Sequence, residues 1–89
     1  MNDWREGGEI TVSETGVNAY VLIVTEVGKE HDIADELLKI KGVLKTSVVY
    51  GEFDVVAELN CADLKSLDQT VTKLRKNASV IRTSTLISS

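Results

Sequence analysis

The chain repeats itself, and the repeat limits the folds open to it. Ile33, Leu37 and Ile40 shifted by 34 positions fall on Leu67, Val71 and Leu74, and the same step carries Val21-Leu22 onto Val55-Val56. A step of 37 lays Val43-Leu44-Lys45-Thr46-Ser47 on Val80-Ile81-Arg82-Thr83-Ser84: apolar, apolar, basic, Thr, Ser in both copies, with three residues added before the last strand. Each copy reads strand, helix, strand. Two such units in one small chain predict an α+β domain of ferredoxin-like, split βαβ form. The expected order is β-α-β-β-α-β, with a four-stranded antiparallel sheet and both helices on one face, since βαβ crossovers are right-handed.

The local pattern supports each element. Residues 19–27 (Ala-Tyr-Val-Leu-Ile-Val-Thr-Glu-Val) are β-branched and almost wholly apolar, as in a central strand covered on both faces, and Gly28 ends the run. Residues 29–41 switch to helical spacing, with Ile33, Leu37 and Ile40 flanked by Ala34 and Leu38. Lys39 and Lys41 fall at the helix end where positive charge is favoured, and Gly42 is the stop. Residues 43–50 form a second strand and Gly51-Glu52-Phe53-Asp54 a hairpin turn. The third strand, 55–61, places Val55, Ala57, Leu59 and Cys61 on one face. Asp63 caps a second helix whose stripe is Leu64, Leu67, Val71 and Leu74, and Asn77 stops it. In the fourth strand, 80–87, Ile81, Thr83, Thr85 and Ile87 share a face.

A sheet with helices on one side only should alternate apolar and polar residues. The doublets Val21-Leu22, Val48-Val49 and Val55-Val56 do not. The uncovered face is therefore apolar and needs a cover, and a second copy related by a two-fold axis is the simplest one. At 89 residues the core is thin, and oligomerisation is a common remedy for so short a chain.

Charge and composition exclude several functions. The net charge is −4, which disfavours direct binding of DNA or RNA, and the densest basic group, Lys39, Lys41 and Lys45, reads as a solvated helix end. A lone cysteine, Cys61, makes no internal disulfide and reads as a buried structural thiol. The opening residues Met1-Asn2-Asp3-Trp4-Arg5-Glu6 lack the apolar core of a signal peptide, and no segment approaches a membrane span, so the expected location is cytoplasmic. Residues 1–18 are polar, contain Gly7, Gly8 and Gly16, and alternate only at Ile10-Thr11-Val12. They read as a tail or short extra strand, too short for a helix-turn-helix, ahead of a domain at 19–89.

No reaction centre emerges. His31, the only histidine, sits among Glu30, Asp32 and Asp35 and reads as solvated, so neither a metal site nor a cofactor is expected. Gly7-Gly8 lacks the pattern of a phosphate-binding loop. Trp4, Tyr20, Tyr50 and Phe53 make no base-stacking platform. The hairpin is the exception. Gly51 permits exposed backbone N–H groups that suit a carboxylate, and Asp54 suits an ammonium group, which together would recognise an amino-acid backbone. The plainer reading has Asp54 bonding the turn's own backbone.

From Ala19 to Ser89 the chain resembles the effector-binding domain of the Lrp/AsnC (feast/famine) transcription regulators. The residues that carry the resemblance are Ala19-Tyr20-Val21-Leu22-Ile23, the Gly51-Glu52-Phe53-Asp54 turn, and Val80-Ile81-Arg82-Thr83-Ser84-Thr85. The resemblance implies a domain that dimerises through its sheets and assembles further, without enzymatic activity. It implies that an amino-acid effector binds near the Gly-x-x-Asp turn, at Gly51, Glu52 and Asp54, with Thr83 and Thr85 as further contacts. Two departures stand out. No helix-turn-helix fits before Asn18, which implies a stand-alone version, without direct nucleic-acid contact, that senses a metabolite or joins a full-length regulator in mixed assembly. Tyr50 also precedes the glycine where the family often has a small polar residue.

Other readings predict different features. An ACT-like amino-acid-binding domain would carry its ligand loop after the first strand, here Glu26-Val27-Gly28-Lys29. A dimeric α+β barrel enzyme would need a polar set, for which His31 and Tyr20 are the obvious donors. A purely structural assembly protein would leave the Gly51 turn without a ligand.

Overall fold

The computed structural model describes residues 16–88. Six elements follow in the expected order: β1 (Val17–Thr25), α1 (Glu30–Leu37), β2 (Val43–Val48), β3 (Val55–Cys61), α2 (Leu64–Arg75) and β4 (Val80–Ser88). The sheet order is β2-β3-β1-β4 and every neighbouring pair is antiparallel. This is the ferredoxin-like α+β fold. The short strand expected at Ile10-Thr11-Val12 lies outside the described residues.

Alternation along the strands builds the core. Ala19, Val21 and Ile23 of β1 and Val55, Ala57 and Leu59 of β3 are at most 1% exposed, under Ile33, Ala34 and Leu37 of α1 and Leu67 and Leu74 of α2. Full burial of a Val, Leu or Ile side chain contributes about 1.5–3 kcal/mol. The two central strands and two short helix stripes therefore supply most of the hydrophobic stabilisation.

The helices depart from the spacing in instructive ways. α1 carries Glu30 and Asp32 in its first turn, where negative charge is favoured, and ends at Leu37 rather than Lys41. Beyond it the N–H groups of Lys39 and Ile40 bond the carbonyls three residues back, so Lys39 and Lys41 lie in tight turns while Ile40 still packs on the core. Gly42 follows at φ +101°, and a Cβ there would stand 3.1 Å from Thr70 Oγ1 and 3.2 Å from Cys61 Sγ, so glycine is required on both counts. α2 begins at the expected cap, with the Ser66 N–H donating to Asp63 Oδ1 at 2.8 Å. Its stripe is Leu67, Thr70 and Leu74, with Val71 half-buried. Leu64 is 60% exposed, because a helical side chain leans toward the N-terminus and the first residue overhangs the end of the layer.

The repeat extends to its irregularities. The β2/β3 register steps between Val43 and Lys45, skipping Leu44, and the β1/β4 register steps between Arg82 and Val80, skipping Ile81. Both skipped residues are exposed, and Val43 and Val80 pack against the core. Val80, not Ile81, therefore shares the inner face with Thr83, Thr85 and Ile87, a correction to strict alternation that the register step explains.

Candidate functional site

The 49–54 hairpin is fastened to β1 by one residue. The Asp54 N–H donates to the Ile23 carbonyl at 2.8 Å, and the Asp54 carbonyl accepts from the Val49 N–H at 2.9 Å. The carboxylate Oδ2 accepts from the Thr25 N–H at 2.9 Å. With that oxygen Asp54 bonds not its own turn but β1, and so ties the hairpin to the end of a central strand. Oδ1 keeps no protein partner among the described residues. Thr25, whose hydroxyl donates to the Glu26 carbonyl, is 4% exposed. The anchor is therefore half-buried and shielded, where an added interaction with the carboxylate has more effect than at an open surface.

The rest of the hairpin projects outward. Gly51 stands at φ +142° with nothing within 4 Å of a would-be Cβ, and Gly51 and Glu52 are exposed. Tyr50 is 95% exposed, and Val27, on the β1–α1 loop at the same end of the sheet, is 97% exposed. Thr83 and Thr85 lie opposite Ile23 and Val21 on the helix side of β4. With Val71, Arg75 and Arg82 they line an open cleft of about 470 Å³ between α2 and the edge strand. Asp54 and Thr83 flank the end of β1 from opposite sides, roughly two strand spacings (~10 Å) apart. Gly51, Glu52 and Asp54 thus form one local group, Thr83 shares its end of the sheet, and Thr85 lies further along.

The helix-free face is the second feature. Tyr20, Leu22 and Val24 of β1 pair across the sheet with Glu58 and Val56 of β3 and with Leu86, Ser84 and Arg82 of β4. Leu22, Val24 and Val56 are half-buried, and Tyr20 and Leu86 are exposed. The Arg82 guanidinium lies 5.4 Å from the centroid of the Phe53 ring, which ties the hairpin to the rim of this face.

Sequence reasoning missed Thr25, the partner of Asp54, and the outward Tyr50 and Val27. Thr25 had a signal: a polar residue breaks the apolar run where β1 ends. The enzyme pairing does not assemble, because Tyr20 is on the bare sheet face while His31 is exposed on α1, in the opposite layer. No group of three or more His, Cys, Asp or Glu among the described residues is arranged to hold a metal ion. Cys61 is buried, with Sγ 3.7 Å from Thr70 Oγ1. No helix among the described residues is long and apolar enough to cross a membrane.

The family model of the Lrp/AsnC ligand binding domain matches residues 18–89. The chain belongs to that family. Its fold is that of the hypothetical protein PHS023 from Pyrococcus horikoshii: 40% identity, TM-score 0.78, covering 82% of this chain and 89% of that one. FFRP-DM1 is likewise 40% identical with a TM-score of 0.78, over 82% of this chain and 99% of its own. A feast or famine regulatory protein from M. tuberculosis, complexed with L-methionine, is 26% identical with a TM-score of 0.73, over 92% of this chain and 57% of its own. No curated protein sequence matches. The family is one of ligand-binding domains of transcription regulators, which assigns this Lrp/AsnC-type domain a regulatory sensing role.

Proposed function

We propose that the chain from β1 onward forms an amino-acid-sensing unit that works as an assembly rather than as an enzyme. The observation that carries this reading is Asp54, held by three bonds at the end of β1 with Oδ1 unpartnered, beside a hairpin whose Tyr50 stands in the open. A held carboxylate is a preorganised acceptor for an ammonium group. In this reading the Gly51 backbone and the neighbouring Glu52 frame the rest of the effector, and Thr83 and Thr85 offer hydroxyls from the next strand edge. The L-methionine complex of the M. tuberculosis relative supports an amino acid as effector.

Two copies cover each other's bare sheet faces, and the outward Tyr50 and Val27 give the resulting homodimers a contact for higher assembly. An effector that sits where copies meet shifts the assembly by mass action. With a net charge of −4 the chain acts on transcription by joining a full-length Lrp/AsnC-type regulator, which supplies the DNA contact. A reduced lone Cys61 and this role both fit the cytoplasm.

Calorimetric titration with L-methionine, then with the other common amino acids, tests the site. At least one should bind saturably, and Asp54→Asn should abolish the heat, because asparagine still accepts the Thr25 N–H but lacks the charge. Binding that survives Asp54→Asn, or no binding by any amino acid, contradicts the reading.

A further inference from the structure

The end of the sheet opposite the hairpin carries a second, differently built cleft. β3 leads from Asp54 to Cys61 across seven residues, roughly 20 Å of strand. At the Cys61 end a cleft of about 320 Å³ opens between the α1–β2 turn and one flank of α2, room for about ten water molecules. α2 lines it with Ser66, Gln69, Thr70 and Lys73, a polar stripe at i, i+3, i+4 and i+7, and the turn faces it with Lys41 and Gly42.

The cleft is set by how the α1–β2 turn is held against its neighbours. Its floor residues, Thr70 and Cys61, are 7% and 6% exposed. The Thr70 hydroxyl donates to the Lys41 carbonyl at 3.4 Å, and the Asn60 N–H donates to the Gly42 carbonyl at 2.9 Å, so the turn is held against both α2 and β3. Gly42 lets the turn approach α2 and β3 this closely, because any Cβ there would press on Thr70 and Cys61.

Its charge runs against that of the chain. The protein has 14 acidic and 10 basic residues, yet among the described residues two lysines and no carboxylate line this cleft. Neither Lys41 nor Lys73 forms an ion pair with a described residue. Asp63, at the start of α2, is engaged by the Ser66 N–H and is not part of the lining. Two ammonium groups from separate elements over one concavity concentrate positive potential, and further donors lie between them in the Ser66 hydroxyl and the Gln69 amide.

We propose that this cleft is a second small-molecule site, independent of the hairpin, that takes a compact dianion through carboxylate or phosphate oxygens. Lys41 and Lys73 each hold one charged end or one pair of oxygens, Gln69 and Ser66 complete the polar shell, and the Cys61–Ala62 segment supplies the apolar side.

A backbone-amide NMR titration of the whole chain with inorganic phosphate and, separately, succinate tests this, with sodium chloride at matched ionic strength as control. Saturable shifts at Gly42, Cys61, Ser66 and Gln69, absent with chloride and absent at 50–54, are expected with at least one dianion. Response to phosphate alone or to succinate alone supports the site and names the oxygen chemistry it prefers. Lys41→Glu with Lys73→Glu should weaken binding by about tenfold or more, as the loss of charge-assisted hydrogen bonds implies. Lys39→Glu with Lys76→Glu, both exposed and outside the lining, should leave it largely unchanged. Shifts that grow without saturation, that chloride reproduces, or that persist in the Lys41/Lys73 variant overturn the proposal. Because the two sites lie at opposite ends of the sheet, the shift map separates failure here from failure at the hairpin.

Discussion

The two faces of the sheet use the same strands and reach different ends. On the helix side Val21, Ile23 and Val55 are fully buried by this chain alone, whereas one residue along each strand Leu22, Val24 and Val56 remain half-exposed between Tyr20 and Leu86. The helix side is apolar nearly throughout its central strands, whereas the bare side keeps an apolar centre, Tyr20, Leu22, Val24, Val56 and Leu86, among polar neighbours. The helix side encodes the fold; in the proposed assembly the bare side makes the contact between copies. In that assembly the polar residues of this face, Lys45, Ser47, Glu58 and Arg82, orient the contact, since interface charges select partners more than they add affinity.

Substitutions on the two faces should therefore separate cleanly. The largest effect is expected at the core: Leu74→Ala, at a position with no exposure, should lower stability by about 2–5 kcal/mol, read from urea unfolding. A value below 1 kcal/mol would mean that the core is not closed by α2. Next, Leu22→Lys should leave the fold intact by circular dichroism while shifting the chain toward monomer in sedimentation. If the variant assembles as the wild type does, the bare face is not the contact.

Asp54→Ala leaves the Thr25 N–H without its partner in a half-buried place and should destabilise by about 1–3 kcal/mol, with Asp54→Asn recovering most of the loss. Equal loss in both would show that the charge, not the hydrogen bond, ties the hairpin. The smallest effect belongs to the α2 cap. The Ser66 N–H, and after it the Ser66 side chain, hold the Asp63 carboxyl below its ordinary value of 3.8. Its stabilising contribution is present in full above that value and is lost as the pH falls through the lowered folded one. Asp63→Ala should slightly lower the melting temperature at neutral pH and erase the difference from wild type at low pH. A constant difference across the pH range would mean the cap acts without its charge.

Most of the fold was legible because the repeat wrote it twice. Ile33 and Leu67 are both buried, Thr46 and Thr83 both sit on the helix side, and Leu44 and Ile81 are both skipped in the ladder. The three added residues are visible too: α2 is 12 residues long against 8 for α1, and the loop after it is one shorter. Periodicity failed where tertiary bonds replaced it. Thr70 occupies a core position because its hydroxyl holds the Lys41 carbonyl, a partner 29 residues away that no local pattern reveals. The candidate site was legible in part. Asp54 and Gly51 stood out as residue types in a turn, but the tie from Asp54 to Thr25 spans 29 residues, and the exposure of Tyr50 depends on how far the hairpin projects.

The central claim is that the apolar bare face is an interface whose assembly answers to a small effector. Solution mass by multi-angle light scattering, recorded with and without each amino acid, tests it most directly. The account predicts at least twice the chain mass without ligand, and a further change with one amino acid. A strict monomer at all concentrations would contradict it.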